Sequence, residues 1–217
     1  MAALTLAVGL VYYPDYLNRT AQAGLLAQLE GVFRAAAPFT PRMPRTAKPF
    51  SVRMTNCGEL GWVSDESGYR YQPMHPVTGE RWPPIPDILL KAWAELAAYP
   101  PPPEACLVNL YDDRARMGLH QDRDEEDLDA PVVSLSLGNT ALFRIGGLER
   151  NSPTRSIRLN SGDAIVFGGA SRLIFHGVDR IIPDSSRLLL DQATTRALLP
   201  AGGRINLTLR RVTQSRA

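Results

Sequence analysis

Over residues 20–36 the apolar side chains Leu25, Leu26, Leu29 and Phe33 recur at helical spacing, which predicts one amphipathic helix. The chain then changes character. Pro38, Pro41, Pro44 and Pro49 exclude regular helix over residues 38–53. Residues 54–85 mix Gly, Trp and Tyr with turn residues and predict short hairpin strands. A second helix is predicted over 86–99, where Ile88, Leu89, Trp93, Leu96 and Ala97 share a face. Pro86 suits its start, and the prolines at 100–103 stop it. From Ala105 onward the period falls to two. Strands are predicted at 105–111, 131–137, 140–145, 155–160, 163–168, 172–176 and 204–212, punctuated by Gly, Asn and Pro. Residues 179–203 are the least regular part, with 187–190 read as one more strand. Many short strands between turns predict a mainly β sandwich or barrel with flanking helices.

Composition narrows this picture without redirecting it. The chain has 217 residues, 44% hydrophobic and 21% charged, which suits an ordinary globular protein with one sizeable core. No charged region precedes the apolar residues of 1–10, so no signal peptide is expected. No apolar run approaches the ~20 residues of a membrane span. Cys57 and Cys106 are the only cysteines, which argues against a disulfide framework and for a reducing cytoplasm. The net charge of +2 does not by itself announce a polyanionic partner. Locally, however, Arg34, Arg42, Arg45, Lys48 and Arg53 fall in a window, 31–58, that holds no Asp or Glu. A basic extended segment of this kind suits a phosphate backbone, and it equally suits a solvated loop.

Of the three histidines, His75, His120 and His176, two sit in informative places. In an extended segment, residues two apart point the same way, so His120 and Asp122 can reach one metal ion. His176 ends the apolar run Leu173, Ile174, Phe175 and precedes Gly177, as at the rim of a barrel strand. Two His and one carboxylate with open positions opposite form the ligand set of non-haem Fe(II) oxygenases. A surface histidine beside an acidic run and a separate packed histidine give the same pattern without a metal.

The stretch 204–210 alternates without a break. Arg204, Asn206, Thr208 and Arg210 share one face, and Ile205, Leu207 and Leu209 share the other. Two Arg on one face repel each other unless an anion compensates, and a dicarboxylate such as 2-oxoglutarate offers one carboxylate to each guanidinium. An exposed edge strand fits the same alternation. Asn109 and Tyr111 share a face of the 105–111 strand and can donate to the same anion.

Taken in order, several segments resemble the AlkB family of oxidative nucleic-acid dealkylation enzymes. They are Asn109-Leu110-Tyr111, the run from Leu119 to Glu125, Pro131 to Gly138, Gly146-Gly147-Leu148, Gly162-Asp163, Gly168 to Arg172, His176-Gly177 and Arg204 to Arg210. Upstream, Met54 to Gly58, Leu60-Gly61-Trp62 and Gly68 to Tyr71 resemble the bacterial branch of that family. The likeness covers about residues 50–177 and 204–211. It departs from the family pattern at Phe167, where Trp is expected, and over 178–203, which is longer than expected.

The resemblance implies a double-stranded β-helix (jelly roll) core over 86–217 and an N-terminal helix with a nucleotide-recognition lid over 1–85. It implies that His120, Asp122 and His176 bind Fe(II). Arg204 and Arg210 would hold the two carboxylates of 2-oxoglutarate, helped by Asn109, Tyr111 and Asn206. Trp62 would stack on the flipped base with His120 on its other side, Tyr69 would contact the substrate strand, and Asp124 would face the damaged base. The implied activity is oxidative demethylation of bases such as 1-methyladenine and 3-methylcytosine. It uses Fe(II), 2-oxoglutarate and O2, and releases formaldehyde, succinate and CO2. The expected partner is alkylated DNA, single-stranded, with RNA as the alternative; the protein is expected to be a cytoplasmic monomer without a membrane attachment. Two other readings remain open at this point: an oxygenase acting on RNA or a protein side chain, and a jelly-roll binding module without catalysis.

Overall fold

Strict alternation over 204–210 gives a strand one apolar and one polar face, each turned to a different material. A computed structural model, describing residues 3–214, shows what those materials are. Residues 1, 2 and 215–217, at the outer ends of the two expected segments, lie outside the described range. The first half of the chain forms β1 (Leu4–Ala7), β2 (Leu10–Tyr13), α1 (Arg19–Ala35), β3 (Arg53–Gly58), β4 (Gly61–Asp65), β5 (Gly68–Gln72) and α2 (Asp87–Leu96). Next come β6 (Ala105–Tyr111), β7 (Met117–His120), β8 (Val132–Gly138), β9 (Ala141–Ile145) and β10 (Arg155–Leu159). The chain continues with β11 (Ala164–Phe167), β12 (His176–Ile181), α3 (Ala193–Leu198) and β13 (Arg204–Arg210).

Seven strands form a larger sheet in the order β1-β2-β11-β8-β13-β6-β3, and four form a smaller one in the order β10-β9-β12-β7. All pairings within both sheets are antiparallel. Strand β13 is therefore interior, between β6 and β8, and the exposed-edge reading of its alternation falls. Its apolar residues Ile205, Leu207 and Leu209 pack with Val108 and Leu110 of β6 and Leu135 and Leu137 of β8. Helices α1 and α2 cover this outer face with Leu25, Leu26, Leu29, Leu89 and Trp93. Each such fully buried side chain contributes about 1.5–3 kcal/mol. The inner face looks across to the smaller sheet, and Phe143, Ile145, Ile165, Phe167 and Val178 pack between the two. This two-sheet arrangement is the double-stranded β-helix that the sequence implied.

Helix α1 begins where the side chain of Asn18 accepts a hydrogen bond from Ala21 N at 2.9 Å, a regular N-cap. Helix α2 ends at Leu96, three residues short of expectation. Ala98 takes a left-handed conformation (φ 48°), and Tyr99 precedes a proline, which disfavours helix. The predicted strand at 172–176 is not one. Gly169 (φ 47°) opens a 3-10 turn, Gly169–Ser171, and β12 starts only at His176. Residues 187–190 are likewise a 3-10 turn, Leu188–Leu190, because consecutive Leu188 and Leu189 are both buried and no alternation exists. Strands β1 and β2, the short β7 and the six-residue α3 carry too little periodicity to have been foreseen. Within the 1–85 segment, β1, β2 and β3 are strands of the larger sheet, and the β4–β5 hairpin forms a sheet of its own. No helix among the described residues is long and apolar enough to cross a membrane.

Strand pairing in the smaller sheet depends on a glycine. A Cβ on Gly177 would lie 2.5 Å from the backbone oxygen of Met117 and 2.9 Å from that of Gly118, so β7 and β12 can approach only without a side chain there. The neighbouring Gly118 has open space where its Cβ would be. Gly177→Ala is expected to lower unfolding stability by about 1–3 kcal/mol, and Gly118→Ala by no more than about 0.5 kcal/mol. Chemical denaturation of the two variants measures the difference.

Candidate metal and co-substrate site

Antiparallel register puts His120 of β7 directly opposite His176 of β12. Directly paired residues have Cβ atoms about 4.5–5.5 Å apart, and here the ring centroids are 4.5 Å apart. Asp122 follows β7 by two residues and turns its carboxylate between the rings. Its Oδ1 lies 3.7 Å from His120 Nε2 and its Oδ2 lies 3.7 Å from His176 Nε2. One ligand atom from each residue falls within 4.8 Å of the others. The Nδ1 of His120 is 2.9 Å from Gly118 O, and that of His176 is 3.1 Å from Ile174 O. A carbonyl oxygen only accepts, so both Nδ1 atoms carry the proton, and both Nε2 lone pairs face the carboxylate. Burial, reinforced by His120, lowers His176 to about 4, which keeps its imidazole neutral. Burial pushes the Asp122 carboxyl up, but Arg210 and the two imidazoles outweigh it and hold the group below the usual carboxylate range. A neutral His176 imidazole, the Nε2 of His120 and one ionised carboxylate, converging from one side, fit a divalent metal ion with open positions opposite.

These three residues line a cavity of about 500 Å³ between the sheets. The polar face of β13 forms its floor: Arg204, Asn206, Thr208 and Arg210 all line it, and register sets Tyr111 opposite Arg204 and Asn109 opposite Asn206. The two arginines differ. Arg210 donates to Asp122 Oδ1 at 2.8 Å and to the Tyr71 hydroxyl at 3.0 Å, and its Nε lies 3.3 Å from Glu125 Oε1. Arg204 has no carboxylate partner. It is 1% exposed, donates to Leu159 O and Ser136 Oγ, and leaves Nε without an acceptor. Burial lowers its pKa to about 10, offset in part by Tyr111 and Asp163. A buried guanidinium without a counter-charge is costly unless an anion joins it. Asn109 Oδ1 is also buried without a partner. Asn206 is already engaged, donating to Ser134 Oγ and Leu135 O and accepting from Thr208 Oγ1. The cavity floor thus holds one unpaired cation and unspent polar groups, which suits a small dicarboxylate reaching the metal ligands.

The β4–β5 hairpin brings Trp62 and Tyr69 to the same cavity. Their rings stack at 5.5 Å with an interplanar angle of 18°, and Phe50 meets Trp62 edge-on at 6.2 Å. Trp62 Nε1 donates to Asp124 Oδ2 at 2.8 Å, so the hairpin and the loop after β7 touch at the cavity mouth. Every side chain expected at the site from sequence thus lines one cavity. The exposed Arg42, Arg45 and Lys48 lie on the proline-rich stretch that precedes β3.

Three residues important to this geometry were not singled out from sequence. Tyr71, Glu125 and Arg172 join Asp122 and Arg210 in a buried network: Tyr71 donates to Glu125 Oε1 at 2.5 Å, and Arg172 donates to Glu125 Oε2 at 3.0 Å. The available signal was the two-residue spacing of Tyr69 and Tyr71, and an Arg inside an otherwise apolar run; neither points to a partner. His75 is structural. Its Nδ1 accepts from Val77 N and Thr78 N, and its Nε2 donates to Ala37 O.

Comparison with known proteins agrees with this geometry. The model of the 2OG-Fe(II) oxygenase superfamily matches residues 9–210. The chain is 52% identical over 210 residues to the alpha-ketoglutarate-dependent dioxygenase AlkB homolog of Caulobacter vibrioides, covering 96% of this chain and 90% of that one. It is 43% identical over 159 residues to the alpha-ketoglutarate-dependent dioxygenase AlkB of Escherichia coli, covering 71% and 74%. The solved structure of OsALKBH1 superposes with a TM-score of 0.77 at 30% identity, over 97% of this chain and all of that one. With the ligand triad, the arginine-floored cavity and these likenesses agreeing, the chain belongs to the AlkB family of Fe(II)- and 2-oxoglutarate-dependent dioxygenases.

Proposed function

We propose that the chain removes alkyl groups oxidatively from the ring nitrogens of nucleic-acid bases, with single-stranded DNA as its substrate. The observation that carries this reading is the shared cavity, in which the His120, Asp122 and His176 triad, the lone Arg204 cation, and the Trp62 and Asp124 pair face one space. In this reading His120, Asp122 and His176 hold the iron. Arg204 and Tyr111 take one carboxylate of 2-oxoglutarate, while Arg210, Asn109 and Asn206 border the other beside Asp122. When bound, Fe(II) and 2-oxoglutarate supply the oxidation by O2 that hydroxylates the alkyl carbon and yields succinate and CO2. The hydroxylated alkyl group then leaves as an aldehyde.

The protein's own residues select and present the base. The reactive carbon lies inside a stacked helix, so the base must be extruded or come from a single strand. Trp62 offers a stacking surface worth ~1–3 kcal/mol against the cost of unstacking. Alkylation at a ring nitrogen of adenine or cytosine makes the base cationic, and the Asp124 carboxylate favours that cation over a neutral base. The lid we assign to the 38–52 segment and the β4–β5 hairpin, the parts of 1–85 that carry Phe50, Trp62 and Tyr69. The basic side chains Arg42, Arg45 and Lys48 there suit a phosphate backbone. We place the enzyme in the cytoplasm as a monomer.

The decisive assay incubates the protein with Fe(II), 2-oxoglutarate and air on oligonucleotides carrying 1-methyladenine or 3-methylcytosine. Formaldehyde should appear, with loss of one methyl mass from single-stranded DNA. Turnover confined to RNA would move the substrate within the same chemistry, and no turnover of any alkylated oligonucleotide would reject the repair reading. Asp124→Asn should reduce turnover of 1-methyladenine at least about tenfold more than turnover of a neutral alkylated base such as 3-methylthymine. Arg204→Met should raise the KM for 2-oxoglutarate by roughly 10–100-fold, the loss of one charge-assisted pair, while oligonucleotide binding stays within about twofold. Equal losses in both would contradict its assignment.

A further inference from the structure

The metal triad is supported from behind by a closed ring of four charged residues. Arg210 Nη2 holds the Asp122 side chain at Oδ1, 2.8 Å away. Arg210 Nε is 3.3 Å from Glu125 Oε1, and Arg172 Nη2 donates to Glu125 Oε2 at 3.0 Å. Arg172 then closes the ring on its starting point, since its Nη1 donates to the backbone oxygen of Asp122 at 2.5 Å. A third bond, from Arg172 Nε to Ala130 O at 2.8 Å, fixes the guanidinium plane. All four side chains are buried, with Arg172 3% and Glu125 6% exposed. Two guanidinium and two carboxylate groups leave the ring neutral.

Position makes Arg172 distinctive. It lies on the segment that leads into His176, four residues later, yet it bonds to the loop carrying Asp122, 50 residues earlier. Gln121 reinforces the same junction by donating to Leu173 O at 2.5 Å. The pairing of β7 ends at His120, so the residues that follow it are held by bonds such as these and by side-chain contacts rather than by a strand ladder. Asp122 lies outside the strand, so its carboxylate has no ladder to orient it. Arg172 fixes that residue at its backbone, and Arg210 fixes it at its side chain.

We propose that Arg172 is a positioning residue for the metal. It does not touch the ion, but it holds Asp122 and Glu125 so that the carboxylate meets the two imidazoles in a ready-made arrangement. Lysine cannot reproduce this, because one ammonium group cannot serve Ala130 O, Asp122 O and Glu125 from a planar fork. Outer-shell partners of this kind change metal affinity by about 10–100-fold when removed. The inference rests on the assignment of His120, Asp122 and His176 as metal ligands.

The test is the anaerobic titration of the full chain with Co(II) alone, followed by its visible absorption, for the wild type, Arg172→Lys, Glu125→Gln and Asp122→Ala. Thermal melting without metal runs in parallel. The expected result is folded Arg172→Lys and Glu125→Gln proteins that bind Co(II) about 10–100-fold more weakly than the wild type. Asp122→Ala should lose the signal. Wild-type affinity in a folded Arg172→Lys protein overturns the proposal while leaving the ligand assignment standing. Failure of the wild type to bind Co(II), or full binding by Asp122→Ala, defeats the ligand assignment itself. If Arg172→Lys does not fold, Glu125→Gln, which keeps the side-chain volume, decides by the same criterion. Loss of folding in both variants would make the ring a stability element and overturn the positioning role.

Discussion

Two guanidinium groups are buried on one face of β13, an interior strand of the larger sheet, and the rest of the site is arranged around that fact. Neither can be left in a dry interior without compensation, since the desolvation of an ion costs several kcal/mol. Arg210 is compensated inside the chain by Asp122 and Glu125, and through Asp122 it is bound to the metal triad. Arg204 donates only to neutral oxygens, those of Leu159, Asn139 and Ser136, and has no carboxylate in direct contact. In the proposed reading one arginine therefore belongs to the architecture of the candidate ligand set, and the other is left to meet an anion from outside. In that reading the same strand links the cation proposed for the co-substrate to the side chains proposed for the metal.

The two faces of β13 also explain how sheet and chemistry coexist. Its outer face needs Ile205, Leu207 and Leu209 to seat α1 and α2, and its inner face needs polar groups that no helix covers. Pairing with β6 and β8 satisfies its backbone on both sides, so the inner side chains are free to face the cavity. A polar row costs least in such a position, because hydrogen bonds such as those of Asn206 to Ser134 and Leu135 can be made within the sheet.

Much of this was legible in the residues because it follows local rules. The alternation of β13 and β6, the helical spacing of α1 and the proline stop after α2 are properties of neighbouring positions. The triad was legible as residue types, with the two-residue spacing of His120 and Asp122, but its closeness to His176 comes from cross-strand register. Register is invisible in a single segment. The strand expected at 172–176 failed for a related reason. Arg172 stands in an apolar run that looks extended, yet Gly169 has already turned the chain and Arg172 is held by atoms 42 to 50 residues away. The Asp122–Arg210 and Glu125–Arg172 pairs were likewise unreadable, since any acid and any arginine in the chain are equal candidates until the fold chooses between them.

Strand β13 follows every other described strand in the chain, yet it lies in the interior of the larger sheet. While the chain is being synthesised, β6 and β8 are made long before the strand that separates them, and each waits with one unpaired edge. A ribosome must deliver residue 210 before those edges meet their partner and before Asp122 acquires its arginine. The candidate metal site is thus one of the last features of the molecule to assemble, and a nascent chain exposes sticky edges long before that site is complete.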